Sequence, residues 1–498
     1  MGVVIKQSLR ATVHLYIGIV VGFITAIVVF PRVFSPEQIG LLNILMQISL
    51  LVSQFGIFGM PGVITYYFPH FRDKENGHNG FPIVILLGTA IGCFLSTLFI
   101  FVFKSWIISK YPNPLFVEHY NQLVILTIAS IMFINLDSYY KGFYNVVLAT
   151  FLKETLQRIL MLLGVGLFMV GIVGFDFYVV IYSLSVVLPS VWLFLSIARD
   201  GHFPMKPKWS FITPGLRTGM ITVGIFNVLA SMSTYINVGI DRIMISSLGG
   251  LEAGGIYATT ILFGTLVSVP SRTVKKITAA LFAEGWKDDD LDKISDIYRK
   301  SCLTQFIIGL MIFICIWCNI DNILKVLPPE YAAGKWAIFW GCVTNLMEML
   351  TGAASSLIGT SKHYKTQTYQ GIMLVAIIIG ANYLFIPIMG ISGAAFATAV
   401  SFFLFNSFRH FYIVYRWKMQ PLGMKELYVL MLAIVCYAFI YIIPTMGYFI
   451  VDAAARGTIA VAFFGGLVYY FKISPEINTA TNAVIKKIPV INKVIGIK

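Results

Sequence analysis

The chain has 498 residues, 58% of them hydrophobic and only 12% charged, with a mean hydropathy of +0.83. A soluble globule carries charge on about a quarter of its residues, so this composition excludes one and leaves the bilayer as solvent. The six cysteines form no disulfide framework; Cys315 and Cys318 make a CxxC, but with no second pair and no polar neighbours they read as core thiols, and no metal site is expected.

In chain order, Lys6 and Arg10 precede an apolar run that is long enough to span and lacks a small-residue cleavage site, which predicts an uncleaved first span. Fourteen spans are predicted, at 12–33, 41–68, 82–103, 121–146, 151–173, 177–198, 215–238, 255–283, 299–320, 333–358, 368–389, 391–415, 426–446 and 449–471. Each reaches the ~20 residues that a helical crossing needs. With the N-terminus inside, 29 of the 36 Lys and Arg fall on cytoplasmic segments and seven on outer ones. That asymmetry places both termini in the cytoplasm. The formal net charge of +14 is then mainly a topology signal, with attraction to anionic membrane lipids second, and nucleic-acid binding has no support. The longest connection, EGWKDDDLDKISDIYRK from Glu284 to Lys300, is predicted as a short amphipathic helix on the cytoplasmic face, with Trp286, Leu291, Ile294 and Ile297 as its apolar side. No GxxxxGK[ST] is present, so an ATP-driven pump is excluded and the drive falls to an ion gradient, the membrane potential or the substrate gradient.

The first six spans are echoed by the next six. PRVFSPEQIGLLN (Pro31 to Asn43) aligns with DRIMISSLGGLEAGGIYA (Asp241 to Ala258), so that Glu37 matches Glu252 and Gly40 matches Gly255, and Gly174 matches Gly390 at nearly the same spacing. Six spans per half put both halves in the same orientation, as parallel repeats about an axis along the membrane normal with a shared cavity between them. The predicted domains are an N-terminal lobe (1–205), a C-terminal lobe (206–418) and an extra two-helix unit with a basic tail (419–498).

Both repeat signatures, Arg32 to Gly40 and Asp241 to Tyr257, resemble those of the multidrug/oligosaccharidyl-lipid/polysaccharide exporter superfamily, as do DLDKISDIYRKS before span nine, ILKVLPPEYAAG before span ten and the extra C-terminal pair. Within it the chain is most similar to polysaccharide (Wzx-type) flippases. The resemblance implies an all-α polytopic membrane fold of two six-helix lobes in a V plus a C-terminal pair. It also implies translocation of polyprenyl-pyrophosphate-linked oligosaccharides across a bacterial inner membrane, by alternating access, for surface polysaccharide biosynthesis. The implied partners are the lipid-linked glycan, membrane lipids and polysaccharide assembly proteins, around a monomer without cofactor. A drug/cation antiporter of the same superfamily is the alternative, but such cavities want acids and span one carries none. A membrane enzyme would need a clustered catalytic set on a large outer loop, and none is present.

A pyrophosphate head in low dielectric needs cationic partners. Arg272 follows Pro270 on span eight, a span that lines the superfamily's cavity, with Lys275 and Lys276 one turn on; the competing reading has all three snorkel to the headgroups. His14 on span one and Arg158 on span five are weaker cavity candidates, since His14 lies near the inner interface and Glu154 precedes Arg158 at ion-pair spacing. Arg32, Glu37, Asp241 and Arg242 sit at the outer ends of the repeats, where either a charged periplasmic gate or ordinary capping explains them. Asp137 and Glu348 are acids expected near mid-bilayer, each close to an amide (Asn135, Asn345), and are candidates for coupling H+ or Na+; hydrogen bonding to neighbours is the rival reading.

Overall fold

A computed structural model describes residues 14, 17–203 and 209–485. Among them every regular element is helical. The chain order is α1 (Ile17–Val33), α2 (Pro36–Gly56), α3 (Met60–Phe71), α4 (Phe81–Val102), α5 (Lys104–Lys110), α6 (Pro114–Glu118), α7 (Gln122–Lys141), α8 (147–169) and α9 (Phe175–Arg199). It continues with α10 (Pro214–Ser268), α11 (Ser271–Lys287), α12 (Leu291–Trp317), α13 (Ile320–Val326), α14 (Lys335–Leu350), α15 (Ala354–Thr360), α16 (Lys365–Trp417), α17 (Met424–Ile442), α18 (Phe449–Tyr470) and α19 (Pro475–Ile485).

Two of these helices are too long to be single crossings. At 1.5 Å per residue, the 55 residues of α10 and 53 of α16 would each run to roughly 80 Å, more than twice the hydrocarbon core. Each turns at a glycine that leaves helical geometry: Gly250 at φ 87° and Gly390 at φ 56°, a region that disfavours any side chain. Among the described residues nine helices are long and apolar enough to cross. Splitting the two double ones, and adding α1, α8 and the α14–α15 pair as interrupted spans, gives the fourteen expected.

The helix starts follow local chemistry. Ser35 caps α2, its hydroxyl accepting from the Gln38 amide at 3.3 Å while Gln38 Oε1 accepts from the Ser35 amide at 3.0 Å, with Pro36 preset for the first turn. Asp290 caps α12 by accepting from the Lys293 amide at 2.9 Å. That cap corrects one expectation. The 284–300 stretch is not a separate surface helix: α11 runs to Lys287, the chain turns at 288–290, and α12 starts at Leu291. Ile294 is fully buried and packs with Phe282, Tyr298 and Leu357, with Trp286 against the same cluster. Of the expected apolar side, Trp286, Ile294 and Ile297 are turned into protein, whereas Leu291 stays exposed.

The chain divides into two compact units, Met1–Ala258 and Thr259–Lys498. In the first, a core of Phe68, Phe71, Phe81, Tyr139, Leu152, Leu193 and Ile197 gathers the ends of α3, α4, α7, α8 and α9. The turns beside this core add Tyr139 Oη donating to the His202 carbonyl at 2.7 Å and Tyr140 Oη to Asp200 at 2.6 Å. In the second, α17 and α18 pack on α12 through Leu303, Ile307, Ile314, Val429, Ala433 and Phe464, and Cys315 and Cys318 lie against the same cluster. A buried ion pair, Arg456 Nε to Asp452 Oδ2 at 2.8 Å, anchors the first two turns of α18. Asn322 donates to that carboxylate at 2.6 Å, and Arg456 also donates to the carbonyls of Ile440 and Ile443, closing the C-terminus of α17.

Candidate functional site

Two predicted spans are interrupted at positions about one repeat apart. Span two breaks between α2 and α3 at Ile57–Gly59, where Phe58 and Gly59 have φ of 49° and 64°; span eight breaks between α10 and α11 at Val269–Pro270. Interrupted spans free backbone groups that must then be satisfied within the protein or at a cavity.

In the first unit the α2–α3 break borders a cavity of about 850 Å³. Its walls are Phe55, Phe58, Met60 and Val63 on one side and Met220, Ile221, Ile225, Val228 and Leu229 of α10 on the other. Helices α3 and α10 come close because glycines face them: a Cβ on Gly59 would overlap the Gly224 carbonyl, and one on Gly62 the Asn227 side chain. The only charged wall residue is Arg217, which is exposed and makes no ion pair among the described residues. From Arg217 to Leu229 the cavity follows α10 for about 18 Å. The arrangement offers a largely apolar, partly open cavity with a cation near one end.

In the second unit, past the α10–α11 break, three charges from three helices meet. Lys275 Nζ of α11 is 2.8 Å from Glu348 Oε1 of α14, and Arg409 Nη2 of α16 is 3.2 Å from Glu348 Oε2. Arg409 is 4% exposed and also donates to Thr351 at 2.8 Å and Asn406 at 2.5 Å, with its guanidinium 5.0 Å from the Phe405 ring centre. Two cations share one carboxylate, so the cluster carries a net positive charge. Glu348 sits two residues before α14 ends, and a helix C-terminus disfavours an acid, which makes the two cations necessary.

The other expected site residues are placed as follows. Arg272 and Lys276 are exposed on α11 and make no ion pair among the described residues, while Lys275 turns inward to Glu348. Arg158 pairs with Glu154 at 3.0 Å and lies over α1 at Gly22, where a Cβ would collide with the guanidinium. His14 stands edge-on to Phe151, ring centres 5.3 Å apart. Asp137 pairs with Lys141 at 2.6 Å. It lies one turn from the end of α7 and not in the middle of a span, because the helix stops at Lys141 instead of running on to 146.

At the opposite end of the first unit, Glu37 accepts from Asn113 Nδ2 at 2.6 Å and Asp241 accepts from Tyr257 Oη at 2.5 Å. Arg32 is exposed at the end of α1, and Arg242 Nε is buried without a hydrogen bond. The tight contact here is between glycines: a Cβ on Gly40 would overlap the Leu251 carbonyl, and one on Gly255 the Pro36 carbonyl. Arg217 and Arg409 were not singled out from sequence. Arg217 lies in the first turn of α10 and Arg409 in the last third of the second half of α16, where a cation read from sequence is indistinguishable from a topology charge.

No sequence-family model matches the chain, and no curated protein matches it in sequence at a significant level. Solved structures do. A lipid II flippase MurJ in an inward closed conformation superposes with a TM-score of 0.70 at 14% identity, over 94% of this chain and 100% of that one. An inward-facing multidrug resistance MATE transporter of the MOP superfamily gives 0.60 at 13% identity, over 83% and 98%. A MOP superfamily transporter from Pyrococcus furiosus, described as having a binding pocket of reverse polarity, gives 0.54 at 15% identity, over 83% and 96%. At such identities the likeness establishes the fold: an all-α, polytopic, two-lobed membrane protein.

Proposed function

We propose that this chain is a flippase for a lipid with an anionic head, of the polyprenyl-pyrophosphate-oligosaccharide class, carrying it from the cytoplasmic to the outer leaflet of a bacterial inner membrane for surface polysaccharide assembly. The observation that carries the reading is the cavity beside the α2–α3 break, apolar along its length with Arg217 as its single charge. An isoprenoid chain is compatible with such walls, and a phosphate is compatible with an arginine fork. A cationic drug would face the wrong sign of charge there, which weighs against the antiporter alternative. The likeness to a lipid II flippase over nearly the whole chain supports a lipid-linked cargo.

Arg272 and Lys276 are proposed as further contacts for the head, and Glu348, with Lys275 and Arg409, as the place where H+ or Na+ would act. Coupling is not obligatory on energetic grounds. Moving about two negative charges outward across 100 mV is favoured by roughly 4 to 5 kcal/mol.

The test is transport in proteoliposomes, with a fluorescent short-chain polyprenyl-pyrophosphate oligosaccharide as cargo. Arg217→Ala and the cavity-filling Ile225→Trp should each lower the translocation rate about tenfold or more at unchanged thermal stability, with Arg217→Lys intermediate. Wild-type rates in both Arg217→Ala and Ile225→Trp would refute the assignment.

A further inference from the structure

Away from these sites, α6 ends and α9 begins side by side in the first unit. We infer that Glu118, His119 and Asp176 form a binding site for a first-row divalent cation of the Zn2+ type. One ligand atom from each of the three residues lies within 4.8 Å of the others, a separation that a single ion can bridge. The histidine gives the group its chemistry. His119 is 6% exposed, yet its Nε2 makes no hydrogen bond and stands 3.3 Å from Asp176 Oδ1. A buried imidazole nitrogen without a hydrogen bond is uncommon. A cation between it and the two carboxylates would satisfy all three.

The donor set selects the ion. Two carboxylates alone would suit Mg2+ or Ca2+, whereas an imidazole shifts preference toward Zn2+ and its neighbours. Three protein ligands leave a position for water. The surroundings hold the imidazole in place: His119 closes the last turn of α6, its amide donating to the Leu115 carbonyl at 3.3 Å, and its ring stands edge-on to Phe175, centres 6.2 Å apart. Asp176 lies in the first turn of α9. A bound ion would therefore tie the segment that leads into α7 to the start of α9, adding a clamp at the end of two helices that already pack together, where Ser190 Oγ donates to the Ala129 carbonyl at 2.9 Å.

The experiment uses the full-length, tag-free protein in lipid nanodiscs after chelator treatment. Zn2+ should raise Tm saturably, with Mg2+ and Ca2+ without effect at the same concentration, and Co2+ should give a visible ligand-field spectrum. Asp176→Asn, on a side chain that is 73% exposed and outside any core, should fold normally and lose the Zn2+ shift at least tenfold in midpoint concentration. His119→Ala should abolish both the shift and the Co2+ spectrum. A Zn2+ shift that persists unchanged in both variants, or no shift in the wild type, overturns the assignment. An equal response to Mg2+ overturns the choice of ion and with it the role given to His119.

Discussion

Gly40 and Gly255, 215 residues apart, touch through a contact that the sequence repeat maps onto itself. Gly40 faces the Leu251 carbonyl and Gly255 faces that of Pro36; adding the repeat length to Pro36 and Gly40 gives Leu251 and Gly255. Such an exchange is the signature of a two-fold contact. The two matched segments, at the start of α2 and the start of the second half of α10, thus meet through equivalent positions.

A side chain on either glycine has nowhere to go, because each would meet backbone. Gly40→Ala and Gly255→Ala should each lower stability by about 1 to 3 kcal/mol, measured by thermal unfolding in detergent. Since the two residues share one contact, the double variant should cost less than the sum of the singles. Additive losses would show two independent sites.

The charge cluster at Glu348 separates a structural role from a coupling one. Glu348→Gln strands the buried Arg409 and should destabilise by about 3 kcal/mol, whereas Glu348→Gln with Arg409→Gln should recover part of that loss. If Glu348 carries the coupling proton, Glu348→Gln should also abolish the dependence of transport on a pH gradient, and Asp137→Asn should leave it intact. Transport that follows the imposed potential at constant pH in all three variants would assign the drive to voltage alone.

Neighbours on α11 should behave differently. Lys275→Ala leaves Glu348 with one cation fewer and should lower Tm. Arg272→Ala and Lys276→Ala remove exposed cations that make no ion pair among the described residues and should change stability by no more than about 0.5 kcal/mol. Arg272→Ala should nevertheless reduce cargo transport severalfold, with Arg272→Lys recovering part of it, because lysine supplies charge without the planar fork. Full transport by Arg272→Ala would mean that this arginine only reaches for headgroups.

A pH response is expected at the turn after α9. Burial lowers the pKa of His202, with Lys74 adding to the effect and Asp200 opposing it, and its ring stacks on Phe143 with centres 3.8 Å apart. A histidine whose folded pKa is depressed contributes stability that is present above its unfolded value, about 6.5, and is lost as pH falls through the folded value. Thermal stability should therefore drop on acidification from pH 7 to 5, and His202→Phe should flatten that part of the curve. An unchanged slope in the variant would move the effect to another group.

Much of the fold was readable because bilayer solvent imposes strong rules. Apolar run length gave the crossings, and the glycines at 174 and 390 do stand at the turns joining the last two spans of each repeat. Interruptions were harder. Hydropathy stays high through the run from 41 to 68 and hides the break; the signal lies in GMPG instead, where Gly59 takes the left-handed conformation and Pro61 starts the next helix. The end of span four was overshot because apolarity continues past Lys141 although the helix does not. Arg217 and Arg409 carry the same letter as their topology neighbours, and only tertiary packing shows that one lines a cavity and the other is buried. His119 is separated from Asp176 by 57 positions and Glu118 by 58, and the three follow no motif, so their meeting is a property of the fold alone.

The Asp452–Arg456 pair bears on how the last two spans enter the membrane. Both charges lie on α18 four residues apart, so they can neutralise each other as soon as that helix forms, before any other segment is present. A lone arginine entering the bilayer is penalised by about 2.5 to 3.5 kcal/mol on insertion scales, and pairing within the helix lowers that barrier. The remaining donors of Arg456 are met only when α17 lies alongside, and the carboxylate gains Asn322 only when α13 is in place. Assembly in the order helix, then hairpin, then docking onto the preceding bundle would thus satisfy each of these groups as its partner arrives.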